Sequence, residues 1–151
     1  MRRAEIEAAI PHREPFLFLD RIVERSVEGL VSSWCVPADA SWFQGHYPGE
    51  PVTPGVIISE HVFQSAAVFV SQELAGLSSD DGVPVLTKIE GARFKRIVRP
   101  GETLSTTVRV TDRLGPAWYF SGSTTCAGET VAKIRFVLSS TKAMQRVLGD
   151  D

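Results

Sequence analysis

One stretch of this 151-residue chain reads as a long α-helix, and almost everything after it reads as strand. The helical run opens at Thr53-Pro54-Gly55, where a threonine can accept a backbone N–H as N-cap and a proline suits the first helical position. It continues to Leu74 or Ala75, with Gly76 as its C-terminal stop. At about 100° per residue, Val62, Phe63, Ala66, Phe69, Val70 and Leu74 share one broad apolar face. Glu60, His61, Gln64, Ser65, Ser71 and Gln72 gather opposite, with Glu60 at the boundary. A single helix of about 20 residues is ~30 Å long, so its apolar face needs a wide sheet to cover it.

The rest of the chain supplies that sheet. Residues 4–9 predict a short helix stopped by Pro11, which disfavours helical geometry at the residue before it. Phe16 to Arg25 and Leu30 to Val36 read as an antiparallel hairpin turning at Glu28-Gly29. Residues 78–83 form a polar loop. Beyond Pro84 four strands are expected, Val85–Val98, Glu102–Arg113, Ala117–Cys126 and Thr130–Ser139, divided by Gly- and Pro-containing turns. The tail from Ser140 ends in a helical turn. The expected fold is α+β, a curved antiparallel β-sheet wrapped around one long central helix, in a single domain spanning 1–151. Six strands cover only one long face of the helix. The polar face, where Ala66 and Ala67 allow close approach, is left for a second copy of the chain.

Composition removes several function classes. A net charge of −2 gives no global attraction to nucleic acid or membrane. Cys35 and Cys126 lie far apart with no C-x-x-C pair, so neither a disulfide framework nor a zinc site is signalled. No apolar run approaches the roughly 20 residues that span a bilayer. Glu5 and Glu7 interrupt the one candidate for a secretory apolar segment. The expectation is a cytoplasmic protein with no metal and no cofactor.

The chemistry-bearing residues concentrate between Phe43 and Gln64, where a loop rich in Gly and Pro feeds the helix. Loops of that length in a compact domain are commonly functional. His46 lies in the loop, and two readings stand for it: a general base titrating near neutrality, or a surface loop histidine. Glu60, fourteen positions later, is either a solvated helix residue or, half-buried at the helix edge, a carboxyl held ready as proton donor. Gly55 at the helix start offers an N–H and the positive end of the helix dipole to a carbonyl oxygen. Gln64, one turn after Glu60, can orient it; His61 points about 100° away from Glu60 and reads as structural or interfacial. The basic run Arg93, Lys95, Arg96 and Arg99 suits an acidic partner or an ordinary charged edge strand.

Together these stretches resemble the (3R)-hydroxyacyl-[acyl-carrier-protein] dehydratases. The matching pieces are Pro11-His12-Arg13-Glu14-Pro15-Phe16 with Asp20-Arg21, the segment Phe43 to Val56, Glu60 with Gln64, and Ala92 to Lys95 followed by Val98 to Glu102. The most specific is Gly45-His46-Tyr47-Pro48-Gly49-Glu50-Pro51-Val52-Thr53-Pro54-Gly55 with a carboxylate fourteen residues after its histidine. The resemblance implies the hot-dog fold. It implies His46 and Glu60 as the catalytic pair, the Gly55 N–H as the group binding the thioester carbonyl, and Gln64 as support. It further implies an acyl carrier protein bearing a 3-hydroxyacyl phosphopantetheine thioester as partner, docked on Arg93, Lys95, Arg96 and Arg99. A homodimer is implied, with His46 of one subunit meeting Glu60 of the other, and trimers of such dimers occur in the family. The run Glu60-His61-Val62-Phe63-Gln64 departs from the family's usual E-A-M-A-Q, and Thr53 stands where methionine is common. Bulky His61 and Phe63 are therefore expected to reshape the acyl tunnel or the dimer contact. A hot-dog thioesterase and a non-catalytic acyl-thioester-binding paralogue are the rival readings.

Overall fold

The structure is a computed structural model describing residues 1–74 and 82–148. A short helix α1 (Arg3–Ala9) precedes the hairpin β1 (Arg21–Arg25) and β2 (Gly29–Cys35). After a one-turn helix α2 (Trp42–Gly45) comes the long helix α3 (Gly55–Leu74). Strands β3 (Pro84–Phe94), β4 (Thr103–Leu114), β5 (Ala117–Cys126) and β6 (Glu129–Ser140) follow, and α4 (Thr141–Leu148) ends the described chain. The expected helix stop at Gly76 and most of the expected polar loop lie outside the described residues.

The six strands form one sheet in the order β1-β2-β4-β5-β6-β3, antiparallel at every pairing. The connection from β2 to β3 crosses the whole sheet, and α3 is that connection. It packs against β2, β3, β4, β5 and β6. Register shifts in β1, β3 and β4 put extra residues on one strand of a pair; such bulges bend and twist a strand, which helps the sheet curve around a helix. This is the hot-dog arrangement.

β5 shows how the sequence builds the inner face. Trp118, Phe120, Gly122, Thr124 and Cys126 alternate inward. Phe120 stacks on Phe136 of β6 at 5.5 Å, and Phe136 meets Phe63 of α3 at 4.8 Å. Gly122 faces Val62, and a Cβ at that position would overlap the Val62 Cγ1. The glycine sets how closely helix and sheet approach. Two buried hydroxyl pairs, Thr106–Thr124 and Ser32–Ser65, each 2.7 Å apart, satisfy polar groups inside this core.

The helix departs from the two-faced reading. From Ile58 to Val70 every residue is buried except Glu60, including His61, Gln64 and Ser65 of the expected polar face. A helix covered all round needs cover on both sides, and the second side comes from this chain rather than from a second copy. Ile6 and Ile10 pack there with Leu17 and Leu19, and Ala66 and Ala67 are buried in the same cluster. The expected strand from Phe16 to Arg25 is correspondingly shorter. The Phe18 N–H donates to Gln64 Oε1 at 2.8 Å, and the Phe18 carbonyl lies 2.7 Å from His61 Nδ1. Those backbone groups are spent on the helix, so Phe18 cannot join a ladder; the Asp20 N–H is the first to reach β2, donating to the Ser33 carbonyl at 2.9 Å, and residue pairing begins at Arg21.

Thr53 is not the helix cap. Gly55 is the first helical residue, and the Pro54 carbonyl accepts from the Ile57 and Ile58 N–H groups at 3.0 and 3.2 Å. Thr53 sits one position too early; its N–H donates to the Val98 carbonyl at 2.7 Å, and its buried hydroxyl has no partner among the described residues.

Replacing Gly122 by alanine is expected to cost about 1–3 kcal/mol through overpacking, read by urea denaturation. Val62→Ala in the same chain should recover part of the loss. A Gly122→Ala midpoint equal to wild type would refute the close contact.

Candidate active site

The N-terminal end of α3 is held by a second core cluster. Phe18, Trp34, Val36, Ile58, Val98, Leu104, Val131 and Ala132 pack there, with Trp42, Phe43 and Ile57 at its margin. The aromatic contacts Phe18–Trp34, Phe18–Trp42 and Trp42–Phe43 fall between 5.2 and 5.8 Å. The partial burial of Trp42 and Phe43 against this cluster anchors α2, and α2 positions the loop that follows. His46 closes α2, its N–H donating to the Trp42 carbonyl at 2.8 Å. Its half-buried ring makes an edge contact with Tyr47 at 4.6 Å. Tyr47 and Gly49 hold φ values of 50° and 94°, so the loop reverses sharply just after the histidine.

Gly55 borders an open groove of about 400 Å³ lined also by Val52, Thr53, Ile58, Phe94 and Ile97. Its N–H opens the helix and finds no backbone acceptor among the described residues, as the first N–H groups of helices do not. A Cβ on Gly55 would stand 3.2 Å from the Phe94 ring, so the glycine keeps the groove open at that point. Tyr47, Pro48 and Glu50 line an adjoining depression that shares Val52 and Ile97. The His46 loop and the Gly55 N–H thus border one continuous surface.

Glu60 is half-buried, and Gln64 holds it: the Gln64 amide nitrogen donates to Glu60 Oε1 at 3.0 Å and to the Phe16 carbonyl at 3.1 Å. His12, to which the sequence attached no role, stands on the same carboxylate, its Nε2 3.5 Å from Oε1. No local spacing links His12 to Glu60; only the path of the N-terminal segment brings them together. His46 is not part of this cluster. Among the described residues no hydrogen bond or ion pair within the chain joins His46 to Glu60.

His61 and Phe63, expected to alter a tunnel or a subunit contact, both turn into this chain's own core. His61 is fully buried beside Trp34, ring centroids 5.6 Å apart. Desolvation lowers its pKa to about 4, against the smaller raising effect of the Phe18 carbonyl. Neutral His61 therefore donates from Nδ1 to the Phe18 carbonyl and leaves Nε2 without a partner among the described residues.

The basic run divides three ways. Arg96 is committed to an ion-pair cluster, with Glu102 at 2.8 and 3.0 Å and Glu129 at 3.2 Å. That contact, with the Arg99 N–H, holds the Glu102 carboxyl down to about 2. Arg99 faces Glu50 at 3.6 Å. Arg93 lies on the outer face of the sheet beside Arg109, Lys133 and Arg135, in a shallow concavity of about 640 Å³. β3 ends at Phe94, so Lys95 and Arg99 do not continue one strand face with Arg93. Among the described residues no group of three or more His, Cys, Asp or Glu converges as a metal site would, and no helix is long and apolar enough to cross a membrane.

A family model described as a FabA-like domain matches residues 10–135. The chain belongs to the FabA-like family. Relatives in it include the 3-hydroxyacyl-[acyl-carrier-protein] dehydratase FabZ of Anaeromyxobacter dehalogenans, 39% identical over 87% of this chain and 85% of that protein. The dehydratase FabZ of Acidiphilium cryptum is 40% identical over 88% and 81%. That of Rickettsia felis is 36% identical over 87% and 90%. Among solved structures, the dehydratase heterocomplex ApeI:P of Xenorhabdus doucetiae aligns with a TM-score of 0.78 at 17% identity, covering 94% of this chain and 96% of that one. A hypothetical thioesterase with coenzyme A from Streptococcus pneumoniae aligns at 0.64 and 13% identity, covering 91% and 95%. At those identities the two structures show the shared fold alone. The FabA-like match spans α1's end to β6, and so contains every residue of the clusters around His46, Gly55 and Glu60.

The buried histidine of this FabA-like chain makes stability depend on pH. The folded pKa of about 4 lies below the ordinary 6.5, so the unfolded chain binds the extra proton first. Its contribution is fully present above about pH 6.5 and is lost as pH falls towards 4, on the order of 3 kcal/mol in all. Urea unfolding at pH 7, 6, 5 and 4 should show a shallower decline for His61→Gln than for wild type. Parallel declines would refute a neutral, desolvated His61.

Proposed function

We propose that this protein dehydrates (3R)-3-hydroxyacyl thioesters carried on acyl carrier protein to trans-2-enoyl thioesters, in fatty-acid or related acyl-chain biosynthesis in the cytoplasm, the whole chain acting as one domain. The observation that carries the reading is the held carboxylate. Glu60 Oε1 is fixed by Gln64, and Oε2 has no protein partner among the described residues. A fixed, half-buried carboxyl with one free oxygen is what a proton donor to a leaving hydroxyl needs. The dehydratases named above, similar over most of their length, support the same reaction.

In this reading the thioester carbonyl accepts from the Gly55 N–H, at the positive end of the α3 dipole, where enolate charge develops. His46 takes the α-proton. The electrons of that C–H bond form the Cα=Cβ bond as the Cβ–O bond breaks, and the Glu60 proton leaves with the hydroxyl as water. No reductant, oxidant or metal enters the balance.

His46 and Glu60 act across a homodimer, the loop histidine of one subunit meeting the glutamate of its partner, and such dimers can assemble in threes. Three features support this. Among the described residues no hydrogen bond or ion pair within the chain joins His46 to Glu60. Strand β3 is a sheet edge along which Leu86, Ile89 and Phe94 are exposed, and an exposed apolar edge invites another strand. Tyr47, Val56 and Ile97 around the groove are exposed as well, and such a patch marks an interaction surface. Carrier-protein docking falls to Lys95, Arg93 and Arg99, since Arg96 is held by Glu102 and Glu129.

His46→Ala and Glu60→Gln are each expected to lower kcat/KM for a trans-2-enoyl or 3-hydroxyacyl thioester by about 10²–10⁴-fold, with the thermal midpoint retained. Full activity in either variant overturns the catalytic assignment. Release of free thiol without enoyl formation identifies a thioesterase instead, and binding without turnover a non-catalytic paralogue. Mixing the two inactive variants should restore part of the activity through hybrid dimers. No recovery despite demonstrated subunit exchange overturns the shared site.

A further inference from the structure

The pairing of His12 with Glu60 goes beyond the two-residue reading of the site, although it rests on Glu60 being the proton donor. Glu60 has two carboxylate oxygens and they are treated differently. Oε1 receives the Gln64 amide nitrogen at 3.0 Å and faces His12 Nε2 at 3.5 Å. Among the described residues no group addresses Oε2.

Gln64 leaves no ambiguity about its own orientation. Its Oε1 accepts from the Phe18 N–H, which can only donate, so the nitrogen is the atom turned to Glu60. Both N–H bonds of that nitrogen are used, one on Phe16 and one on Glu60. The same Phe16–Phe18 contacts fix the segment that carries His12. Arg13 adds a clamp, its guanidinium donating to the Ile10 and His12 carbonyls at 2.9 and 2.7 Å. His12 is then held with Nε2 towards Glu60 and with its buried Nδ1 lacking a partner among the described residues. Among those residues its imidazole has one polar group to act on, and that is Oε1.

We infer that His12 is a positioning residue for Glu60: with Gln64 it holds Oε1, so that Oε2 is the oxygen that carries the proton to the leaving hydroxyl. A contact of 3.5 Å is long for a hydrogen bond, and such contacts in empty catalytic sites tighten when substrate binds. Aiming the free oxygen matters because a small misplacement of a catalytic group can cost about 10²-fold in rate.

The test is steady-state hydration of a trans-2-enoyl thioester by the full chain, for wild type, His12→Ala, His12→Gln, His12→Asn and Glu60→Gln, with thermal midpoints for each. His12→Ala should lower kcat about 10- to 100-fold with KM within about twofold. His12→Gln, whose longer amide reaches Oε1, should recover most of kcat, and the shorter His12→Asn less. Wild-type kcat in His12→Ala overturns the inference. So does a loss in all three His12 variants that tracks their thermal midpoints without rescue by glutamine. If His12→Ala fails to fold, the glutamine and asparagine variants decide alone: equal kcat in the two overturns the inference, and a clear advantage for glutamine supports it. An active Glu60→Gln would instead overturn the underlying dehydratase reading. An inactive Glu60→Gln beside a fully active His12→Ala overturns this inference only.

Discussion

The buried amide of Gln64 ties the N-terminal segment and the Glu60 carboxylate to one point on α3. Its oxygen and nitrogen bond to Phe18 and Phe16, fastening the N-terminal segment along α3, and the same nitrogen holds Glu60. Removing one partner of a buried hydrogen bond leaves the other unsatisfied at about 1–3 kcal/mol. Gln64 has three such partners, so the cover of the helix and the aim of the carboxylate are one problem. A polar side chain in this core specifies where an adjacent segment must lie, which an apolar one of similar volume could not do.

The opposite side of α3 is governed by shape. Gly122 lets the helix settle onto β5, Phe63 and Phe69 interlock with Phe120 and Phe136, and bulged strands bend the sheet around them. With the helix enclosed on this side by the sheet and on the other by α1 and residues 10–20, only its two end turns and Glu60 reach the surface. The groove, the Gly55 N–H and the carboxylate are therefore displayed by exclusion. The loop that follows His46 reaches the groove by a separate route, through Trp42 and Phe43 held at the margin of the second cluster.

The helix and the four late strands were legible because each carries its own period and its own punctuation, with Pro54-Gly55 at one boundary and Gly-containing turns between strands. The strand at Phe16–Asp20 was misread because its run of β-formers looks the same whether the backbone bonds to a neighbouring strand or to a helix's side chains. The polar face of α3 was misread for a related reason. Helical periodicity reports which residues are polar, and His61, Gln64 and Ser65 are polar yet fully satisfied or desolvated inside the fold. Arg96 is likewise basic in the sequence but engaged by two carboxylates that only folding brings to it.

By itself, the sequence determined the element order, the α+β class, and the residue types available for acid–base chemistry on one loop and one helix edge, since these depend on local propensity and on spacing along the chain. Tertiary structure alone decided that the chain covers both sides of its own helix, that Glu60 is gripped through one oxygen by Gln64 and faced by His12, and that among the described residues no hydrogen bond or ion pair joins His46 to Glu60. Those outcomes depend on contacts between segments far apart in sequence, whose partners become defined only once the N-terminal segment has found the helix.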